Sequence, residues 1–169
     1  MENVLLTGRP GVGKTTLVRK VVESGRPIAG GFYTEEIREV GRRVGFTILT
    51  LDGRDGILAH VKSRSKFRVG RYGVNVEAFE DIGVTSIEDA LTKDGLVVMD
   101  EIGRMELFSE KFQETVLRAL DSPRRVFGVL QMKRSKFLNT IRTRADTRII
   151  TVSPSNRDTL LPQILDLLH

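Results

Sequence analysis

Two short stretches of this chain carry residue types that can do phosphate chemistry. The first is Gly8-Arg9-Pro10-Gly11-Val12-Gly13-Lys14-Thr15, a match to G-x-x-x-x-G-K-[ST], with Thr16 continuing it. Its glycines let the backbone turn tightly and bring N–H groups against phosphate oxygens, where a Cβ would intrude. Lys14 supplies a point charge for β- and γ-phosphates, and the Thr15 hydroxyl is placed to coordinate Mg²⁺. The second is Gly95-Leu96-Val97-Val98-Met99-Asp100-Glu101-Ile102, an apolar run that ends on two acids, the Walker B pattern. Asp100 is expected to hold the metal opposite Thr15, and Glu101 to orient a water in line with the γ-phosphate. Together they point to binding of a nucleoside triphosphate, with Lys14 and Glu101 as the catalytic pair.

The elements around these stretches have to deliver them to one place. Asn3–Thr7 reads as a buried strand leading into the loop. After the loop, Leu17, Val18, Val21 and Val22 fall on one helical face, and Ser24-Gly25-Arg26-Pro27 stops the helix. Its first amides and the positive end of its dipole add to the anion site. Gly95–Met99 has the continuous apolarity of a strand buried on both faces of a parallel sheet, whose carboxyl edge is where ligands bind.

Between the two motifs, Ile28–Ile37 and Val44–Leu51 predict an antiparallel hairpin turning at Val40–Arg43, followed by a turn at Asp52–Gly56 and a strand at Ile57–Ala59. This makes a β-rich insertion of about residues 30–60. Residues 60–80 are basic and irregular, with a turn at Gly70–Val74, where Tyr72 is either a base-stacking ring or a half-buried turn residue. Ser86-Ile87-Glu88-Asp89 reads as a capping box that opens a helix to about Leu91.

Ser109 is expected to cap a helix with Phe112, Val116 and Leu120 inward, ended by Ser122-Pro123. Val126–Leu130 and Arg148–Val152 read as strands, and Ser135–Arg144 and Arg157–Leu168 as helices. The alternation predicts an α/β fold of one domain, residues 1–169, with an open, mainly parallel sheet.

Composition narrows the classes. No apolar run approaches the roughly 20 residues that cross a bilayer, so no membrane role is expected. Cysteine is absent, which excludes disulfides and thiolate metal sites and fits a cytoplasmic protein. The net charge of +5 is concentrated: residues 124–148 hold eight bases and one acid. Such an excess attracts a polyanion, either nucleic acid or a triphosphate, or is simply a solvated surface. His60 and His169 stand alone, without partners at metal-ligand spacing.

Asp100-Glu101-Ile102-Gly103-Arg104-Met105-Glu106, Gly8–Thr15, Gly30–Glu36 and Val152–Asp158 together resemble one family over essentially the whole chain. It is the small P-loop nucleoside-triphosphatases known in animals as cancer-related nucleoside-triphosphatase and found widely in archaea and thermophilic bacteria. The resemblance implies a RecA-like three-layer P-loop fold and Mg²⁺-dependent hydrolysis of several nucleoside triphosphates with little base selectivity. Arg104 stands where lysine is common, which keeps the charge.

Asn156 and Arg157, in the loop after the last strand, are candidates for contacting the base, or else an N-cap and a flanking charge. Arg134, Arg142 and Arg144 are equal candidates for an arginine finger. A monomer is the expected state. Two other readings stay open. One is a small-molecule or nucleotide kinase with the arginine-rich segment as a lid; the other is a nucleic-acid-stimulated ATPase, for which no RNA-recognition motif speaks.

Overall fold

A computed structural model describes residues 2–169 and shows one sheet with helices on both faces. Five strands run parallel: β2 (Ile28–Glu39), β7 (Leu96–Ile102), β8 (Val126–Leu130), β1 (Asn3–Thr7) and β9 (Thr147–Thr151), side by side in that order. Beyond β2 the sheet continues antiparallel through β3 (Arg42–Thr50), β4 (Asp55–His60), β6 (Tyr72–Val74) and β5 (Arg68–Val69). β2 and β3 pair antiparallel and are continuous with the parallel sheet. β2 pairs with β7 through Ile28–Tyr33 and with β3 through Phe32–Glu39, so one strand belongs to both regions.

The two faces bury separate cores. On one, Val4, Leu6, Val98, Phe127 and Val129 meet Leu17, Val18 and Val21 of α1 (Lys14–Val22) and Leu160 and Ile164 of α6 (Leu160–Leu167). On the other, Leu5, Phe32, Val97 and Met99 meet α3 (Thr85–Leu91), α4 (Glu110–Asp121) and α5 (Lys136–Arg142), with Phe79, Phe112 and Phe32 in mutual edge contacts. Adjacent residues of one strand thus feed opposite cores, which is why β1, β7 and β8 are apolar without alternation.

Caps at Ser109 and Ser135 accept from the amides of Phe112 and Leu138, at 3.0 and 3.1 Å, as their sequence positions predict. Three readings are corrected. Ser86 is no cap: a helical run begins at α2 (Val76–Phe79), passes through a π-helical turn (Glu80–Val84) and continues as α3. Ser86 lies buried inside this run, and its hydroxyl donates back to the Gly83 carbonyl at 2.6 Å. The last helix starts at Leu160 rather than Arg157, because Asn156 and its neighbours form a hydrogen-bonded turn first. β7 extends past Met99 to Ile102, carrying both acids within the strand.

Candidate nucleotide site

The residues that could handle phosphate meet at the carboxyl edge of the parallel strands. Across this edge Leu6, Val129, Asp100 and Tyr33 lie in one register row, so Asp100 stands level with the last turn of chain before the glycine loop. The loop is pressed against β9. A Cβ on Gly8 would lie 2.6 Å from the Val152 carbonyl, so only glycine fits there. Gly13, at φ 115°, turns the chain directly into α1.

No side chain caps α1 and no acid sits in its first turn, which leaves its leading amides for an external anion. The Lys14 ammonium folds over the loop and donates to the carbonyls of Gly8 and Arg9, at 2.5 and 3.0 Å. Burial lowers the Lys14 pKa, and the charges of Glu101 and Asp100 oppose that shift. Lys14 is thus the cation that the acids share.

Asp100 is 3% exposed, and its Oδ2 is buried with no hydrogen-bond partner among the described residues. Burial pushes its carboxyl up to about 7, the Thr15 side chain pulls against that, and the Glu101 charge adds to the rise. Glu101 is itself raised by burial, with Lys14 opposing. Glu106, 3% exposed in the short 3₁₀ turn Glu106–Phe108, is raised well above the ordinary range by burial and then by Glu101. Asp100 and Glu101 share the charge of Lys14, and Glu106 is a third buried carboxyl, raised further by both of them.

An orphaned carboxylate oxygen beside the Thr15 hydroxyl fits a hard divalent cation, which takes oxygen ligands. Among the described residues no cluster of three acidic or histidine side chains forms a complete cage. Such a cation would complete its shell with phosphate and water, as Mg²⁺ does in phosphoryl-transfer sites.

Glu101 is held where a side chain on the next turn would disturb it. A Cβ on Gly103 would lie 3.3 Å from Glu101 Oε1 and 3.0 Å from Gln131 Oε1. Gln131, the first polar residue after β8, accepts from the Arg104 amide at 2.9 Å and pins that turn. Sequence reading missed Gln131 as a site residue. The signal was there: it follows a buried apolar strand at the same sheet edge as Asp100. Glu106 ends the same sequence motif, and its deeply buried carboxyl belongs to the same electrostatic cluster, raised by burial, by Glu101 and by Asp100. Arg19 is a further neighbour, stacked 4.4 Å over the Tyr33 ring and paired with Glu35; its charge lowers Asp100.

Other expected residues fall in different places. Arg9, Pro10, Gly11 and Val12 form the loop crown, and Thr16 lies in the first turn of α1. Gly95, Leu96, Val97, Val98 and Met99 are not at the phosphate edge. Gly95 and Leu96 sit at the opposite end of β7, roughly 13 Å back along the strand at about 3.3 Å per residue. The next three are buried between the two cores, as is Ile102. Their contribution is to place Asp100.

Asn156 uses both ends of its amide within its own loop, accepting from Ser153 N at 2.8 Å and donating to Thr151 O at 3.0 Å. Arg157 lies across the glycine loop, its guanidinium 3.5 Å from the Val12 carbonyl. Arg144 is clamped by Asp121 and Asp146, and Arg142 by the carbonyls of Gln131 and Lys133. Arg134 is exposed and carries no such clamp. Tyr72 is buried, with its hydroxyl bonded to Arg43 and its ring against Phe46. His60 accepts from the Lys62 amide. No described helix is long and apolar enough to cross a membrane.

The model of the family described as NTPase matches residues 3–165. A nucleoside-triphosphatase THEP1 of Thermotoga maritima is 47% identical over 98% of this chain and 94% of its own length. The human cancer-related nucleoside-triphosphatase is 39% identical over 97% of this chain and 95% of its own. The crystal structure of THEP1 from Aquifex aeolicus superposes with a TM-score of 0.88 at 39% identity, covering 100% of this chain and 99% of that one.

Proposed function

The chain belongs to the NTPase family, and on that premise we propose that it hydrolyses nucleoside triphosphates to diphosphate and phosphate at the edge formed by Gly8–Thr16, Asp100 and Glu101. The observation that carries the assignment is the unpartnered, buried Asp100 oxygen beside Thr15 and within the field of Lys14. A protein that leaves such a group unpaired incurs a cost of several kcal/mol, which a bound cation removes. Thr15 and Asp100 would hold Mg²⁺ together with the nucleotide, and the ion would draw charge from the phosphate oxygens.

The remaining steps belong to this chain. The loop amides and the start of α1 bind the phosphates, and Lys14 neutralises charge on them. Glu101, raised by burial and set against Gly103, orients the attacking water and receives its proton. Gln131 keeps the turn beneath Glu101 in place. Arg157, which reaches the Val12 carbonyl of the glycine loop, would contact the base, while Asn156 shapes the loop that carries it.

The sheet supports a P-loop, RecA-like reading: β8 separates the strand carrying the acids from the strand leading into the loop. In this reading β3–β6 are an insertion extending one domain beyond β2. Phosphate release from Mg²⁺-ATP, GTP, CTP and UTP tests the assignment, beside Glu101→Gln. All four should be turned over without an acceptor, and Glu101→Gln should keep nucleotide affinity while kcat falls about 10²–10⁴-fold. Near-parental turnover in that variant would remove Glu101 from the mechanism.

A further inference from the structure

Next to the Glu101 turn lies a cavity of about 400 Å³ lined by Val69, Arg104, Leu107, Phe108, Lys133, Arg134, Ser135 and Leu138, with no residue of the glycine loop among them. That volume falls in the range of small-ligand sites, roughly 300–1,000 Å³. Its charge is one-sided: three cations line it and no carboxylate does. Elsewhere the arginines are mostly answered. Arg19, Arg38, Arg43, Arg54, Arg124 and Arg144 all form ion pairs, and Arg26 and Arg125 donate to carbonyls at the end of α6. The side chains of Arg104, Lys133 and Arg134 have neither kind of partner among the described residues, yet they converge on one concavity.

The backbone that carries these cations is tied down. Arg104 is held through its amide by the Gln131 side chain. The loop bearing Lys133 and Arg134 is tied down by the Arg142 guanidinium on the Gln131 and Lys133 carbonyls, and Ser135 closes it by capping α5. The floor is apolar: Leu138 is fully buried, and Phe108 packs against Phe67 with ring centres 5.5 Å apart. Three unpaired cations on a tied-down backbone, over an apolar and aromatic floor, suit a ligand with two parts, a dianionic head and an apolar or planar body.

We propose that this cavity binds a small organophosphate, of the chemistry of a nucleoside monophosphate, separately from the triphosphate at the glycine loop. Arg104, Lys133 and Arg134 take the phosphate, and Leu107, Phe108 and Leu138 take the body. The inference uses the hydrolytic site only to say what lies next door, and binding is measured without turnover.

The test is calorimetric titration of the full chain saturated with Mg²⁺ and a non-hydrolysable triphosphate analogue, so that the glycine loop is filled. AMP, adenosine and inorganic phosphate are the three titrants. AMP should bind saturably, with adenosine and phosphate each weaker by about tenfold or more, the effect of losing about 1.4 kcal/mol. Lys133→Glu should weaken AMP by a similar factor while phosphate release from Mg²⁺-ATP stays within about twofold of the parent.

Absence of AMP binding overturns the proposal, and so does adenosine or phosphate binding as tightly as AMP. A short single-stranded RNA that displaces AMP and binds more tightly would make this a polymer surface instead. Loss of basal turnover in Lys133→Glu would assign these cations to the transferring phosphoryl group. AMP binding by a chain that hydrolyses no triphosphate would leave this site standing and sink the hydrolytic reading alone.

Discussion

The two halves of the sheet are built on opposite terms. In the parallel half, β1, β7 and β8 are buried on both faces, and the charged residues at their carboxyl ends are themselves largely buried. In the antiparallel half, the outer part of β2 and the start of β3 are exposed. There Glu36 is answered by Arg38 and Arg43, and Asp52 by Arg54, near the surface. Exposed pairs of this kind contribute about 0–1 kcal/mol each. Burial makes the first half able to shift pKa values and hold an unpaired oxygen; solvent makes the second half tolerant. Chemistry and forgiveness are divided along β2.

Changes in the parallel half should hit function hardest. Lys14→Ala removes the cation that Asp100 and Glu101 share, and nucleotide affinity should fall by about tenfold or more, with turnover lost. Unchanged affinity by titration would break the contrast at its strongest point. Gly103→Ala adds a Cβ 3.3 Å from Glu101 Oε1 and 3.0 Å from Gln131 Oε1. Displacing an orienting group by even a fraction of an ångström should lower kcat by about tenfold, while thermal stability moves little. A parental kcat would show that the carboxylate works from another position.

Glu106→Gln separates stability from charge. The folded-state pKa of Glu106 lies above its ordinary value. The proton it holds therefore stabilises the fold below about pH 4.5, and that stabilisation is lost as pH rises through the folded pKa. Gln, which stays neutral, should be close to parental at pH 4–5 and melt higher at pH 8, where about 1 kcal/mol appears as about 2–4 °C. A variant that gains nothing at pH 8 would mean that Glu106 is not held neutral.

The smallest effect belongs to the tip of the antiparallel half. Val40 is fully solvent-exposed at φ 48°, beside Gly41 at φ 74°, in the two-residue turn between β2 and β3. β-Branched residues fit poorly there, and Asn-Gly is the preferred pair. Val40→Asn should stabilise by less than about 1 kcal/mol and leave phosphate release unchanged. A fall in kcat from this distant change would show that the two halves are coupled.

The same division decided what could be read from sequence. The parallel strands were legible because a strand that feeds two cores needs an unbroken apolar run, and each run ends where the polar residues must stand. Asp100 and Glu101 followed from that rule. Gln131 obeys it too, but an amide carries no titratable signature to draw the eye. The Val76–Leu91 helix was harder. Its π-helical turn inserts a residue and shifts the helical phase. Gly83 looks like a breaker, yet it is there because a Cβ would lie 2.4 Å from Ile48 and 2.8 Å from Phe79. Ser86 then mimics a cap because the first half of the helix is disguised. Arg157 was misplaced for a related reason: a side-chain-closed turn at Ser153–Asn156 precedes α6 and has no period to detect.

The position of β1 between β8 and β9 sets a timetable for synthesis. Val4 pairs with Phe127 and Leu5 with Ile149, so the segment made first waits on both sides for segments made last. The β2–β3–β4 hairpins can close while the chain is still emerging, since their partners are neighbours in sequence. The glycine loop cannot take its final shape until β9 arrives, because Val152 forms the wall against which Gly8 rests. A nascent chain should therefore acquire its tolerant half early and its nucleotide-binding competence only in the last steps of translation.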